Sequence, residues 1–287
     1  MSNIGIVGSA GFIGRSLTGY LSSRGHKIVE FNSENPIIDR NQLSTRTEGL
    51  SHLIWAASRV NPASAESRPD LVELELTEWK NFISVMLEQS HELNIFFLSS
   101  GGCTYSSERT PFSESSEARG INEYGRLKVK MEKQLETSGL PYTIFRVSNV
   151  YGPGQPHGRG QGVIAEWVNA FSTNESIKVF GSLKSFRDYL YIDDFCEGLL
   201  RAITVGITQD TWNLGAGVPT DLEEILSIFN ELAGSSSKVI LESGRSTDRS
   251  GYYLDISKIV KNLDWEPKVP IRLGLQQTLL NYGGLHG

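Results

Sequence analysis

The run Ile4-Gly5-Ile6-Val7-Gly8-Ser9-Ala10-Gly11-Phe12-Ile13-Gly14 decides the fold. Its first four residues read as a short strand suited to burial on both faces, and the three glycines that follow are spaced G-x-x-G-x-x-G. Beyond them Ile13, Leu17, Tyr20 and Leu21 fall on one helical face at i, i+4, i+7 and i+8, and Gly25 closes the helix. A strand, a glycine turn and a helix in that order form an anion cradle. Gly8 permits the tight turn, Gly11 lets backbone approach a pyrophosphate, Gly14 lets helix pack on strand, and the free N–H groups of the helix start attract the phosphates. Phe12 and Ile13, at the helix opening, join these glycines as expected cofactor contacts.

Working outward, strands are expected at 3-7, 27-31, 36-39, 52-56, 94-98 and 141-147, and helices at about 70-91 and 122-137, the latter starting near Asn122. The alternation predicts an α/β fold: a Rossmann-type doubly wound parallel sheet with a smaller C-terminal α/β substrate domain. Only residues 32-35 separate the second and third strands, so one crossover helix is missing or reduced to a turn. After Tyr151 the texture changes to Gly152-Pro153-Gly154-Gln155-Pro156 and shorter elements. The expected division is a cofactor domain over 1-151 and a mainly substrate-binding domain over 152-287, the chain returning to the first around 175-214. Thr220-Asp221-Leu222-Glu223 reads as a capping box opening one helix, and Asp255 as the cap of another.

The net charge of -6 argues against a broad basic footprint, so nucleic acid is not an expected partner and phosphates must be met by local donors. No apolar run approaches the length of a membrane span, and the absence of a basic leader points to a cytoplasmic protein with no membrane partner. Two cysteines, Cys103 and Cys196, lack metal-ligand spacing to any histidine pair, and no metal is expected.

Tyr124 and Lys128 stand at i and i+4, on one helical face, where they can act as one acid-base unit. An ammonium beside the phenol and the charge of an oxidised nicotinamide favour the phenolate, and Lys128 would also hold the nicotinamide ribose. The end of the second strand, where a carboxylate accepts from the ribose hydroxyls of NAD, carries Asn32. An amide bonds a hydroxyl without repelling a phosphate, and Arg15 stands in the first turn of the helix, so NAD is the expected cofactor with NADP left open. Asp39 is either an acceptor for the adenine amino group or an exposed turn residue.

Taken together these motifs resemble the NAD-dependent epimerase/dehydratase family, the extended short-chain dehydrogenases, over nearly the whole chain. Trp55-Ala56-Ala57 resembles its strand turn beside the cofactor, which implies contacts from Ala56 and Ala57, and Leu98 to Tyr105 its active-site strand. Arg146 to Pro153, Arg187-Asp188-Tyr189 with Asp193-Asp194, and Trp212 to Gly215 follow in the family's order. The resemblance implies that Asn149 contacts a sugar nucleotide and that Arg187 with Arg245 grips its diphosphate, each arginine being otherwise a surface ion pair. It also implies a homodimer formed through the helices at 70-91 and 122-137, with Leu74, Phe82, Val85 and Met86 contributing to the face.

One position departs from the family. Most relatives carry Ser or Thr where this chain has Gly101, donating a hydrogen bond beside the catalytic tyrosine. Cys103, on the same strand face, is either a weak thiol replacement or a buried structural cysteine. The function implied is 4-epimerisation of a nucleotide sugar such as a UDP-hexose, catalysed by Tyr124, Lys128 and Cys103. A reductase or dehydratase acting on a similar substrate is the alternative, and a non-catalytic cofactor-binding sensor or scaffold the second.

Overall fold

In a computed structural model, which describes residues 1–89, 93–107, 109–234, 238–244 and 249–282, the opening run forms β1 (Asn3–Val7) and then α1 (Phe12–Ser23). The first half continues through β2 (Lys27–Phe31), β3 (Ile38–Asp39), β4 (Gln42–Leu43), β5 (His52–Trp55), α2 (Pro69–Glu88), β6 (Asn94–Ser100), α3 (Glu123–Glu136) and β7 (Tyr142–Val147). Then come β8 (Asn149–Tyr151), α4 (Val163–Ser172), β9 (Ile177–Phe180), β10 (Phe186–Tyr191), α5 (Ile192–Val205) and β11 (Asp210–Leu214). The chain ends with β12 (Pro219–Asp221), α6 (Leu222–Ala233), β13 (Val239–Glu242), α7 (Ser257–Leu263) and α8 (Ile271–Asn281).

Six strands form one parallel sheet in the order β11-β7-β6-β5-β1-β2. Side chains of β1 and β6 alternate between its two faces. Ile4, Ile6 and Phe96 enter a core with α1, α4, α5 and α6, whereas Val7, Ile95 and Phe97 enter a core with α2 and α3. Both faces are therefore covered, which makes the sheet doubly wound. The chain leaves β1 for β2 on one side and returns to β5 on the other, so a crevice opens at the carboxyl ends of β1 and β5, where such folds take ligands.

The expected strand at 36-39 does not join this sheet. β3 and β4 form a two-residue antiparallel hairpin turned by Arg40 and Asn41 at positive φ, and β2 is left as the sheet edge. Four residues after β2 cannot span a parallel crossover, which needs a dozen or more. They form a turn instead, in which Asn32 Oδ1 accepts from the N–H groups of Glu34 and Asn35.

Smaller sheets complete the molecule: β12-β10-β8, and the parallel pair β13-β9. The cap of α6 is Asp221, whose Oδ1 accepts from Glu224 N at 2.8 Å, one residue beyond the expected Thr220, which is spent in β12. Asp255 Oδ1 accepts from Ser257 N at 2.9 Å at the start of α7. Of the residues expected to form a dimer face, Phe82, Val85 and Met86 are buried in the core and Leu74 alone is exposed. Among the described residues no helix is long and apolar enough to cross a membrane.

Candidate active site

The crevice at the carboxyl ends of β1, β5, β6 and β7 is an open cleft of about 750 Å³. Gly11, Phe12, Ile13, Ala56 and Ala57 line it, as do Cys103, Tyr124, Lys128, Asn149 and Arg187. Ten of the residues singled out from sequence thus converge from distant parts of the chain. Asn32 and Asp39 do not line the cleft; the first is engaged in its turn and the second lies exposed on β3. Arg245 lies outside the described residues.

The three glycines of the first loop do different work. At Gly8, where φ is +88°, an added Cβ would lie 2.7 Å from Ala57 N, and at Gly14 it would lie 2.2 Å from the Gly8 carbonyl. These two are demanded by packing within the protein. Gly11 is not: its φ of -77° suits any residue, and a Cβ would meet only the Gly8 carbonyl oxygen, at 3.3 Å. Gly11 is also the N-cap of α1, which has no side-chain cap and no acidic residue in its first turn. A bare, positively polarised helix start facing the cleft fits a dinucleotide pyrophosphate.

α3 carries the acid-base pair and is set by Asn122. The Oδ1 of Asn122 accepts from Gly125 N at 2.8 Å as the helix cap, while its Nδ2 donates to Cys103 Sγ at 3.7 Å. Helix and strand end are thereby tied together at Cys103. Gly125 permits the approach, since a Cβ there would stand 2.0 Å from the Cys103 carbonyl oxygen. Lys128 Nζ lies 5.4 Å from the Tyr124 ring centroid and 5.3 Å from that of Phe97.

A residue not anticipated from sequence completes the pair. Glu75 on α2 is 5% exposed, and its carboxylate accepts from Lys128 Nζ at 3.4 Å, from Ser58 Oγ at 2.9 Å and from Arg59 N at 2.7 Å. Its signal was present: Glu75 shares a buried helical stripe with Trp79, Phe82 and Met86, where a lone carboxylate needs a partner. Burial works to lower the Lys128 pKa, but Tyr124 and Glu75 outweigh it and hold the ammonium above its ordinary value. Burial raises Tyr124; Lys128 opposes this as expected, but Cys103 and Glu75 add to the rise, so the protein's own groups favour the phenol. The Cys103 thiol is also raised by burial, against hydrogen bonds from Asn122 and Ser100, which keeps it a neutral thiol.

The glycine at 101 has a steric reason. A Cβ there would lie 2.8 Å from Leu254 Cδ1 and 3.2 Å from the Val147 carbonyl oxygen, so Leu254 fills the volume that a Ser or Thr side chain would need. One residue along, the Tyr252 hydroxyl would stand 2.5 Å from a Cβ on Gly102, and Tyr252 also lines the cleft.

Charge sets the ligand class. Arg59, Lys128, Arg159, Lys178, Arg187 and Arg249 line the cleft, and among the described residues no Asp or Glu does. In a chain of net charge -6, such a segregation of cations marks a site for a ligand with several negative charges.

Comparison with known proteins agrees with this geometry. The chain is 27% identical to dTDP-4-dehydro-6-deoxyglucose reductase of Escherichia coli, over 96% of this chain and 95% of that one. It is 24% identical to a putative UDP-glucose 4-epimerase of Methanocaldococcus jannaschii, with 96% of each chain covered. Among solved structures it resembles the UDP-glucose 4-epimerase of Thermotoga maritima with UDP-glucose, at a TM-score of 0.85 and 25% identity, covering 98% of both chains. The model of the NAD dependent epimerase/dehydratase family matches residues 4–215. With its glycine cradle, its Tyr124–Lys128 pair and its cleft at the carboxyl edge of the sheet, the chain belongs to the NAD-dependent epimerase/dehydratase family, and its cofactor is NAD.

Proposed function

We propose that the protein is a nucleotide-sugar 4-epimerase. The observation that carries this reading is the composition of the cleft: one tyrosine–lysine acid-base pair, several cations, and no carboxylate among the described lining residues. Bound NAD supplies reversible hydride acceptance. Arg187, with the exposed Arg159 and Lys178, meets the diphosphate of the substrate, and Asn149 bonds the sugar nucleotide. Tyr124 takes the proton from the sugar C4 hydroxyl and returns it after the sugar has turned over. Lys128, held by Glu75, stabilises the phenolate in between. Dehydration requires a further acid and base to abstract at C5 and expel the C6 oxygen. Among the described lining residues no carboxylate offers such a pair, which favours epimerisation over dehydration.

The reaction in D2O tests this. UDP-glucose or a similar UDP-hexose should yield its C4 epimer with no deuterium on carbon and no net change in nicotinamide absorbance. Deuterium at C5 or C6 would establish a dehydratase instead, and consumption of one reduced cofactor per product a reductase.

A further inference from the structure

Two consecutive glycines, Gly101 and Gly102, follow β6, and one stretch of distant chain occupies the side-chain space of both. Leu254 fills the first. The ring tip of Tyr252 fills the second, its Oη 2.5 Å and its Cζ 2.6 Å from where a Cβ on Gly102 would lie. A side chain at 102 would displace Tyr252, so the glycine and the tyrosine form one arrangement. The ring is held on several sides: it stacks on Phe112 with centroids 6.3 Å apart, the Arg187 guanidinium lies 5.8 Å from its centroid, and Tyr252 N donates to the Phe186 carbonyl at 3.3 Å. Only 4% of the residue is exposed, yet it lines the cleft and its hydroxyl has no hydrogen-bond partner among the described residues. A buried hydroxyl without a partner is costly unless a ligand supplies one.

Tyr252 and Tyr124 meet the same two residues. Tyr252 abuts Gly102, while Gly125, next to Tyr124, packs on the Cys103 carbonyl, and Cys103 raises the pKa of both phenols. Burial, then the Asp188 carboxyl and Cys103, push the Tyr252 phenol well above its ordinary value against the pull of Arg187, so it keeps its proton and acts as a donor rather than a base. A sugar oxygen that loses its proton while its carbon loses hydride carries negative charge in the transition state, and a fixed donor aimed at it lowers the barrier. The other candidates at the strand end are occupied or weak. Ser99 Oγ donates to Glu132, Ser58 Oγ to Glu75, and Cys103 offers a thiol, a poor donor whose sulfur already accepts from Asn122. We propose that Tyr252 is a second catalytic residue, whose hydroxyl donates a hydrogen bond to the sugar oxygen from which Tyr124 takes the proton. Tyr252 keeps its own proton throughout; the oxygen's proton goes to Tyr124, and the hydride leaves the carbon for the cofactor. The role rests on the epimerase reading, which puts an oxygen undergoing oxidation at Tyr124.

Tyr252→Phe, in the full chain with NAD bound, tests it against the wild type and Cys103→Ala, with UDP-glucose, UDP-galactose and UDP-N-acetylglucosamine as substrates and UDP as a binding probe. Tyr252→Phe should lower kcat about 100-fold, the scale of one transition-state donor, with KM and the affinity for UDP little changed. Its melting temperature without ligand should be no lower than that of the wild type, since the hydroxyl it loses bonds nothing in the protein. Cys103→Ala should lose less. Near-normal kcat in Tyr252→Phe would overturn the proposal. So would an equal loss of kcat and UDP affinity, which would make Tyr252 a diphosphate ligand, or a fall in melting temperature that accompanies the lost activity, which would make it structural. A larger loss in Cys103→Ala would give the donor role to the thiol and overturn it as well. If the wild type turns over none of the three substrates, the epimerase reading falls and takes this role with it; if the wild type turns one over and Tyr252→Phe does so equally well, only the role of Tyr252 falls.

Discussion

Glu75 touches Lys128 rather than the reacting atoms, so its effect should be electrostatic and visible in the pH profile. Catalysis in the oxidising direction needs Tyr124 deprotonated and Lys128 protonated, which bounds the rate on the acid and alkaline sides. The negative charge of Glu75 raises both pKa values. Its removal must therefore lower both. Glu75→Gln, which keeps an acceptor for Ser58 and the Arg59 N–H, is expected to move the whole bell of kcat/KM toward acid pH. A bell unmoved in position and lowered only in height would show that Glu75 serves packing alone. Tyr124 and Lys128 were legible because their i, i+4 spacing is local, and Glu75 was not paired with them because α2 and α3 meet only in the folded protein.

The helix start at Gly11 and the helix body at Gly14 make opposite demands. A side chain at Gly14 collides with backbone of the β1–α1 turn, whereas one at Gly11 meets little of the protein and projects toward the cleft. Gly11→Val should accordingly leave the melting temperature close to the wild-type value and abolish NAD binding. Gly14→Ala should be destabilised by about 1–3 kcal/mol, the range for overpacking a close contact. Calorimetry with NAD and thermal melts of both variants check the contrast; a Gly11→Val protein that binds NAD normally would remove the pyrophosphate from this loop. The same reasoning separates the elements that were foreseen from those that were not. β1, α1, β2 and α3 followed from periodicity and caps. The strand expected at 36-39 became a hairpin because its β-branched run is as compatible with β3 as with a sheet strand, and only the shortness of the preceding turn chooses between them.

Asp188 joins segments that are far apart in the chain. Its Oδ1 accepts from Ala216 N at 2.7 Å, and its Oδ2 from Gly217 N at 3.0 Å and from Leu254 N at 3.1 Å, so β10, the turn after β11 and the segment before α7 share one buried carboxyl group. The amide of Asp188→Asn would set an NH2 group against backbone donors. We expect a loss of about 2–3 kcal/mol, the scale of a buried charged hydrogen-bond network, and a melting temperature lower by roughly 4–12 °C. A melting temperature within a degree of wild type would show that the three N–H groups find other acceptors. Leu254, in that same segment, is also the residue that fills the space beside Gly101, and Arg249, a few residues before it, lines the cleft. The doubly wound fold, the cofactor loop and the acid-base pair could be read from the chain because each depends on residues within about two helical turns of one another. The Glu75 carboxylate under Lys128 and the gathering of cations in a cleft that, among the described residues, no Asp or Glu lines depend on contacts between residues tens to more than a hundred positions apart, which local spacing does not encode and tertiary packing alone decides.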